Sequence, residues 1–350
     1  MAEDTATLPG LSPVGSKPLQ VAFDGGRLSS DFGVVLLGDI DRHLEISERL
    51  AGCLIDPRDP SRVVHGVAEM IRFRALMIAA GYPDGDDCDA LRQDPAFKLA
   101  VGRLPESGPD LCAQPTMSRL ENLPDRRALL RMMDAMIELF CDSYEVVPRR
   151  IVLDIDDTCD AVHGGQQLAL FNADHNERCF LPIHIYEATT GKPVAVILRP
   201  GKTPDGAEVR LVIKHVVRRL RARWPRVEIV VRGDSHYGRP EAMSWCERNR
   251  VFYIFGLAPN KALLRRVAPL AETTALARVE DEDQSQKVRR FTHFDYAAKS
   301  WHRERHVVAR IEAGPQGTDS RFVVTNIQGT PRWLYETVYC ARGQADIASP

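Results

Sequence analysis

The sequence predicts an α/β core carrying a β-strand insertion, preceded by a mainly helical N-terminal region. Three observations predict it. Up to Pro148 the apolar residues recur at helical spacing, whereas beyond it short apolar runs of strand length take over. Those later segments follow the order strand, strand, strand, helix, strand, helix, strand. The second and third strands are separated only by Thr189–Gly191, a spacing that makes an antiparallel hairpin.

Residues 1–16 contain Pro, Gly and Ser and are expected to be a flexible N-terminus. LQVAF (19–23) alternates like a short strand, with Asp24-Gly25-Gly26 as its turn. Val34 to Cys53 has helical spacing, interrupted after it by Arg58-Asp59-Pro60. VVHGVAEMIRFRALMIAAGY (63–82) reads as a helix stopped by Gly81 and Pro83. DGDDCDALRQDP is a polar loop, followed by a helix at Ala96–Gly102 and another in QPTMSRLENL (114–123). That last segment, with Ser118 and Arg119, has two readings: a DNA-reading helix-turn-helix, or plain helical packing. DRRALLRMMDAMIELFCDSY (125–144) is a long amphipathic helix, closing a mainly helical region over 17–148.

The core occupies 149–350. IVLDI, CFLPIHIYEA (179–188) and KPVAVILR (192–199) are its first strands. EVRLVIKHVVRRLRARW (208–224) is a helix with Val209, Val212, Ile213, Val216, Val217 and Leu220 on one face. VEIVVRGDS (227–235) is a strand, RPEAMSWCERN (239–249) a helix and VFYIFGL (251–257) a strand. Residues 260–285 are helical and acidic, and three strands follow, forming a β-rich insertion over about 260–328. TPRWLYETVYCARGQAD then opens a final helix over 331–346, with Thr330 as N-cap and Pro331 at the first helical position.

Composition narrows the function classes. Of 350 residues, 44% are hydrophobic and 27% charged, as in an ordinary globular protein. A net charge of −2 argues against a uniformly basic nucleic-acid binder but leaves room for a local basic face. The eight cysteines include no C-x-x-C pair, and their scatter fits a reducing cytoplasm. No leader peptide and no apolar run of membrane-spanning length is visible, so a cytoplasmic protein is expected.

IVLDIDDTCD (151–160) runs an apolar strand into a cluster of acids, and two enzyme classes do this. As Asp154-x-Asp156-x-Thr158 it fits the nucleophile motif of haloacid-dehalogenase-type phosphohydrolases. That class needs a later acidic motif, but Gly233-Asp234-Ser235-His236-Tyr237-Gly238 ends in glycine. It also needs a helical crossover after the first strand, where this sequence has a hairpin. Three antiparallel strands, a helix and a fourth strand are instead the order of the ribonuclease-H-like fold. There, acids on the first and fourth strands lie side by side, and Asp156 and Asp234 take those places. Such acids clamp two divalent ions in phosphodiester cleavage. Asp154, two residues before Asp156, shares its strand face and joins the metal-ligand candidates. Asp157 is expected to point away, either into solvent or as a supporting partner behind the acids.

The stretch from Ile151 to Leu257 resembles DDE-class transposases of bacterial insertion sequences. The resembling segments are LDIDDTCDAVHGGQQ, CFLPIHIYEATTGKPVAVILRPG and VRGDSHYGRPEAMSWCE, together with FDGGRLSSDFG and PTMSRLENLP nearer the N-terminus. Within these it resembles the insertion-sequence thirteen-eighty family, a relative of the insertion-sequence-four group. The resemblance implies cut-and-paste DNA recombination with Mg²⁺ (two ions, Mn²⁺ substituting), Asp156 and Asp234 as first and second acids, and a β insertion before the last catalytic helix. It implies double-stranded DNA as partner, both terminal inverted repeats and target, and two protomers in a paired-end complex. The group signature Y-x-x-R-x-x-x-E maps onto Tyr339, Arg342 and Asp346, with aspartate in place of glutamate. Tyr339 and Arg342 are thereby implied to touch DNA, and Asp346 to be the third acid. Aspartate is one methylene shorter than glutamate, and a lysine expected seven residues further on has no position before Pro350. Two outcomes are thus left open: a working site, or a shortened final helix with weakened or absent catalysis.

On helix 208–224, Arg210, Lys214, Arg218 and Arg221 form a basic stripe, either a phosphate-binding surface or a solvated face. Arg289, Arg290, Arg303 and Arg305 in the insertion are weaker candidates of the same kind. Gly201-Lys202-Thr203 lacks the earlier glycine of a phosphate loop, and His302-Arg-Glu-Arg-His306 is not H-E-x-x-H. His163 and His236 lie near the acids in sequence, where they could contact DNA, assist metal binding or be structural; they are read as structural and left out of the metal site.

Overall fold

A computed structural model of the chain describes residues 12–19, 29–162, 166, 168–173, 175–280 and 287–344. The chain divides into two units, Met1–Ala135 and Met136–Pro350. Of the strand expected at 19–23, all but Leu19 lies outside the described residues, as does its Asp24-Gly25-Gly26 turn.

The first unit is helical among its described residues. The helix expected from Val34 to Cys53 is two, α1 (Gly33–Leu44) and α2 (Ile46–Ala51). Glu45 between them has φ 55°, a left-handed conformation that no α-helix accommodates. α3 (Val67–Ala79) begins later than its apolar run because Gly66 is still extended. The loop after it contains the short α4 (Cys88–Leu91). α5 (Pro95–Ala100) starts where Asp94 accepts hydrogen bonds from the amides of Ala96 (2.8 Å) and Phe97 (3.1 Å). α6 (Gln114–Glu121) buries Met117 and Leu120 in one core with Phe73, Met77 and Phe97, and leaves Arg119 exposed. α7 (Arg126–Asp142) carries the chain onward.

The second unit opens with β1 (Arg150–Asp157). Then come β2 (Asp160–Ala161), β3 (Leu170–Asn172) and β4 (Glu177–Phe180), which form a small three-stranded sheet of order β2-β4-β3. CFLPIHIYEA is thus not one strand. Pro182 has no amide to donate, so the ladder breaks there, and the main sheet resumes with β5 (Ile183–Glu187) and β6 (Pro193–Ile197). The β5–β6 hairpin turns through Gly191 at φ 67°, a backbone conformation that favours glycine. After it come α8 (Gly206–Arg223), β7 (Glu228–Gly233), α9 (Pro240–Arg248) and β8 (Phe252–Leu257). α10 (Lys261–Val279), β9 (Val288–Tyr296), β10 (Arg305–Gly314) and β11 (Gly317–Thr325) complete the sheet.

The main sheet has eight strands in the order β6-β5-β1-β7-β8-β11-β10-β9. β6, β5 and β1 are antiparallel neighbours, whereas β1, β7 and β8 run parallel. Numbered along the core this is 3-2-1-4-5, the ribonuclease-H-like arrangement. The inserted strands extend that sheet, because β11 pairs antiparallel with β8, Val323 opposite Gly256.

Side chains alternate between the two faces of the sheet. On one face α8 buries Val209, Ile213, Val216, Val217 and Leu220. Three of them meet Leu153, Ile155, Ile185 and Val231 around a void of about 10 Å³. On the other face, Leu334 and Tyr335 pack onto Ile254, Val308 and Val323. These two belong to the final helix, where Thr330 accepts from the amides of Trp333 and Leu334. Trp333–Tyr339 is π-helical and Cys340–Gln344 a 3₁₀ turn, so the regular α-helix expected there is replaced by a widened and then a tightened one. Asp346 lies outside the described residues.

Candidate active site where β1 and β7 end

β1 and β7 are parallel neighbours, with Ile155 opposite Gly233, so the residues that follow in each meet at one end of the sheet. β1 brings Asp156 and Asp157, and the turn after β7 brings Asp234 and His236. The turn is built by close approach. A Cβ on Gly233 would lie 3.0 Å from Ile155 Cγ2 and from Tyr237, and one on Gly238 would lie 2.7 Å from the Gly256 carbonyl oxygen. The His236 amide donates to Asp234 Oδ1 at 2.8 Å, fixing that carboxylate.

Of the two readings of Asp157 the solvent-facing one fails: its side chain is only 4% exposed. His236 Nδ1 stands 3.1 Å from Asp157 Oδ1 and 3.9 Å from Asp234 Oδ2, and the Tyr237 hydroxyl donates to Asp157 Oδ1 at 3.4 Å. Burial opposes ionisation of Asp157, but the hydrogen bonds from His236 and Tyr237 and the charges of His236 and Arg199 together outweigh it, and the carboxyl titrates below its ordinary range. The hydrogen bond to Asp157 raises the His236 imidazole above its usual value, against the effect of burial. Burial pushes the Tyr237 hydroxyl up, keeping it a donor.

Asp157, Asp234 and His236 offer ligand atoms that all lie within 4.8 Å of one another, the one such group among the described residues. Two carboxylates and an imidazole suit a divalent cation. Asp157 and His236 were not expected as ligands. The acid pair at the strand end could have flagged Asp157, and the histidine two places after the turn aspartate could have flagged His236.

Asp156 accepts a hydrogen bond from Arg342 Nη1 at 3.2 Å. The Arg342 guanidinium lies 5.9 Å from the Tyr339 ring centroid. A Cβ on Gly256 would be 2.8 Å from Tyr339 Oη and 3.0 Å from the Asp234 carbonyl carbon, which places that hydroxyl beside the Asp234 backbone. Asp156, Asp234, Tyr339 and Arg342 are therefore gathered in one place.

Asp154 corrects two expectations. It is 3% exposed, and its two oxygens receive Arg232 Nε at 2.5 Å and Nη2 at 2.6 Å. A carboxylate gripped on both oxygens is neither an available metal ligand nor an accessible nucleophile, so the metal role and the phosphohydrolase reading both fail on it. The basic stripe divides too. Arg210, Lys214 and Arg218 keep their four-residue spacing along α8, Arg218 exposed and the other two half-buried. Arg221 instead donates to the carbonyls of Asn249 (2.7 Å) and Arg250 (3.0 Å), tying α8 to the end of α9. In the insertion, Arg289 pairs with Glu312, and Arg303 and Arg305 with Glu247.

A five-strand 3-2-1-4-5 core with acids where its first and fourth strands end defines a ribonuclease-H-like protein of the acidic-site type. Over residues 11–347 the sequence matches the family described as transposase DDE domain group 1, and the chain belongs to that family. No curated protein matches the chain. Among solved structures, it is similar to piggyBac transposase in a synaptic complex with hairpin DNA, at 10% identity and a TM-score of 0.45. That match covers 92% of this chain and 68% of the other. Mos1 transposase in a paired-end complex with a left transposon end is similar at 11% identity and a TM-score of 0.22, covering 72% of this chain and 85% of that one. Among the described residues no helix is long and apolar enough to cross a membrane.

Proposed function

We propose that this chain is the transposase of a bacterial insertion sequence, of the thirteen-eighty family, cutting DNA at the element ends and joining them to target DNA. The observation that carries this is the meeting of Asp156, Asp157, Asp234 and His236 at the ends of two parallel strands, in a chain matched to a transposase family from 11 to 347. The carboxylates fit divalent ions, Mg²⁺ with Mn²⁺ as substitute, and Asp346, standing where the resembling group's signature has its glutamate, is the third acid. Held by Asp156, Asp157 and Asp234, such ions would supply activation of the attacking oxygen and charge neutralisation at the leaving one.

The chemistry is attack of water on the phosphodiester at the element end, then attack of the freed 3′-hydroxyl on target DNA. Arg342 and Tyr339, beside the acids, contact the backbone at the cut, and Arg210, Lys214 and Arg218 hold phosphates further along. The partners are duplex DNA, as terminal repeats and as target, and a second protomer on paired ends. The place of action is the cytoplasm, on the nucleoid.

The test is nicking of a labelled duplex carrying the element end, in Mg²⁺ and in Mn²⁺, by this chain and by Asp234→Asn. Cleavage abolished in the variant is the expected result. Binding without cleavage in either metal would make the chain a DNA-binding remnant that occupies ends without cutting them.

A further inference from the structure

We propose that His236 is itself a ligand of one of the divalent ions, shared with Asp157 and Asp234, and that this mixed set makes the site favour Mn²⁺ over Mg²⁺. The inference rests on the function proposed above and adds a residue and a selectivity to it.

The geometry is that of ligands around a small cation. Ligands about 2.1 Å from an ion stand about 3 Å apart when adjacent in an octahedron and about 4.2 Å apart across it. The imidazole Nδ1 lies 3.1 Å from Asp157 Oδ1 and 3.9 Å from Asp234 Oδ2, inside that interval. One ligand atom from each of the three lies within 4.8 Å of the other two, so small side-chain rotations close the set.

The turn supplies the orientation. Because the His236 amide holds Asp234 Oδ1, Oδ2 is the oxygen presented to the imidazole of the same residue. Asp157 is packed in place with the Tyr237 hydroxyl against it, while His236 remains 35% exposed and open to an arriving ion. The backbone thus places two ligands on one short turn and the third on the neighbouring strand.

The selectivity follows from ligand chemistry. Mg²⁺ is hard, prefers oxygen and keeps its waters, so an imidazole adds little to its binding. Mn²⁺ shares the preference for carboxylates but lies on the series in which nitrogen ligands strengthen binding, so the same imidazole adds affinity for it.

Pulsed electron paramagnetic resonance of Mn²⁺ bound to the full chain tests this directly, alongside calorimetric titration with Mn²⁺ and Mg²⁺. The expected spectrum shows coupling to an imidazole nitrogen, absent in His236→Gln. In that variant Mn²⁺ affinity falls by about tenfold or more, since even outer partners of metal ligands are worth that much, while Mg²⁺ affinity stays nearly constant. Mn²⁺ bound without nitrogen coupling, or coupling that survives in His236→Gln, overturns the His236 assignment and leaves the transposase reading standing. No Mn²⁺ or Mg²⁺ binding to the wild-type chain overturns both. The nitrogen coupling is read in the unsubstituted protein, so the result does not depend on how well a variant folds.

Discussion

Arg232 grips Asp154 with two parallel prongs across adjacent parallel strands, at 2.5 and 2.6 Å, both residues being almost wholly buried. Its remaining Nη1 donates to the Val338 carbonyl at 2.8 Å, one residue before Tyr339. One guanidinium therefore joins β1, β7 and the final helix directly behind the acids. Removing either partner strands the other as a buried charge, which costs about 3–5 kcal/mol. Arg232→Met and Asp154→Leu are each expected to lose that much in urea denaturation. The double variant should recover most of it yet still cleave poorly, because the Val338 anchor is gone. Full cleavage in the double variant would contradict this positioning role.

Gly256 is a tight point of the site, with three neighbours at once. An added methyl would lie 2.8 Å from Tyr339 Oη, 2.9 Å from the Ser235 amide nitrogen and 3.0 Å from the Asp234 carbonyl carbon. Gly256→Ala should destabilise the chain by about 1–3 kcal/mol, the usual range for overpacking, and abolish nicking. Adding Tyr339→Phe removes one of the three clashes and should restore stability in part. No improvement from the second substitution would mean the backbone atoms alone set the limit.

The divided basic stripe makes a prediction with two opposite halves. Each phosphate left without its cationic partner lowers the salt slope of DNA binding by about 0.9. Replacing Arg210, Lys214 and Arg218 with alanine should flatten the slope by up to about 2.7, with the denaturation midpoint unchanged. Arg221→Ala should do the reverse, because its guanidinium serves the carbonyls of Asn249 and Arg250. Binding isotherms at several salt concentrations, paired with urea curves, separate the two.

Glu312 supplies a pH dependence. The Lys287 ammonium, and then Arg289 and Arg310, hold its carboxyl at about 2, well below its ordinary 4.5. A lowered carboxyl stabilises the fold above its unfolded value, and the contribution disappears as pH falls from about 4.5 through about 2. Glu312→Gln should therefore unfold at lower urea than the wild type at pH 7. The two midpoints should converge as the solution is acidified through that window. A gap independent of pH would show that Glu312 acts through packing rather than charge.

Much of the core was legible because its signals are local. The helical face of α8 and the β5–β6 hairpin sit within single stretches of sequence, and Asp156 and Asp234 end apolar runs that the ribonuclease-H-like strand order makes neighbours. What escaped was set by distant partners. Asp154 looks as available as Asp156 until Arg232, 78 residues away, is placed beside it. His236 looks structural until its turn is folded against Asp157. The attachment of β11 to β8 was equally invisible, since a strand's pattern shows which face is apolar but not which edge it joins. The π-helical widening at Trp333–Tyr339 leaves no mark in the residue spacing that would separate it from an α-helix.

That 78-residue separation also bears on how the chain assembles. As it leaves the ribosome, the β5–β6 hairpin can dock on one edge of β1 long before β7 exists. The other edge then waits for a parallel partner, a non-local pairing of the kind that slows folding. Until β7 arrives, the Asp154 charge stays in water. A β7 that docks one residue out of register points Arg232 to the opposite face and leaves a bare carboxylate against the final helix. The ion pair thus works as a checkpoint for alignment, penalising a slipped strand before the acids beside it are brought together.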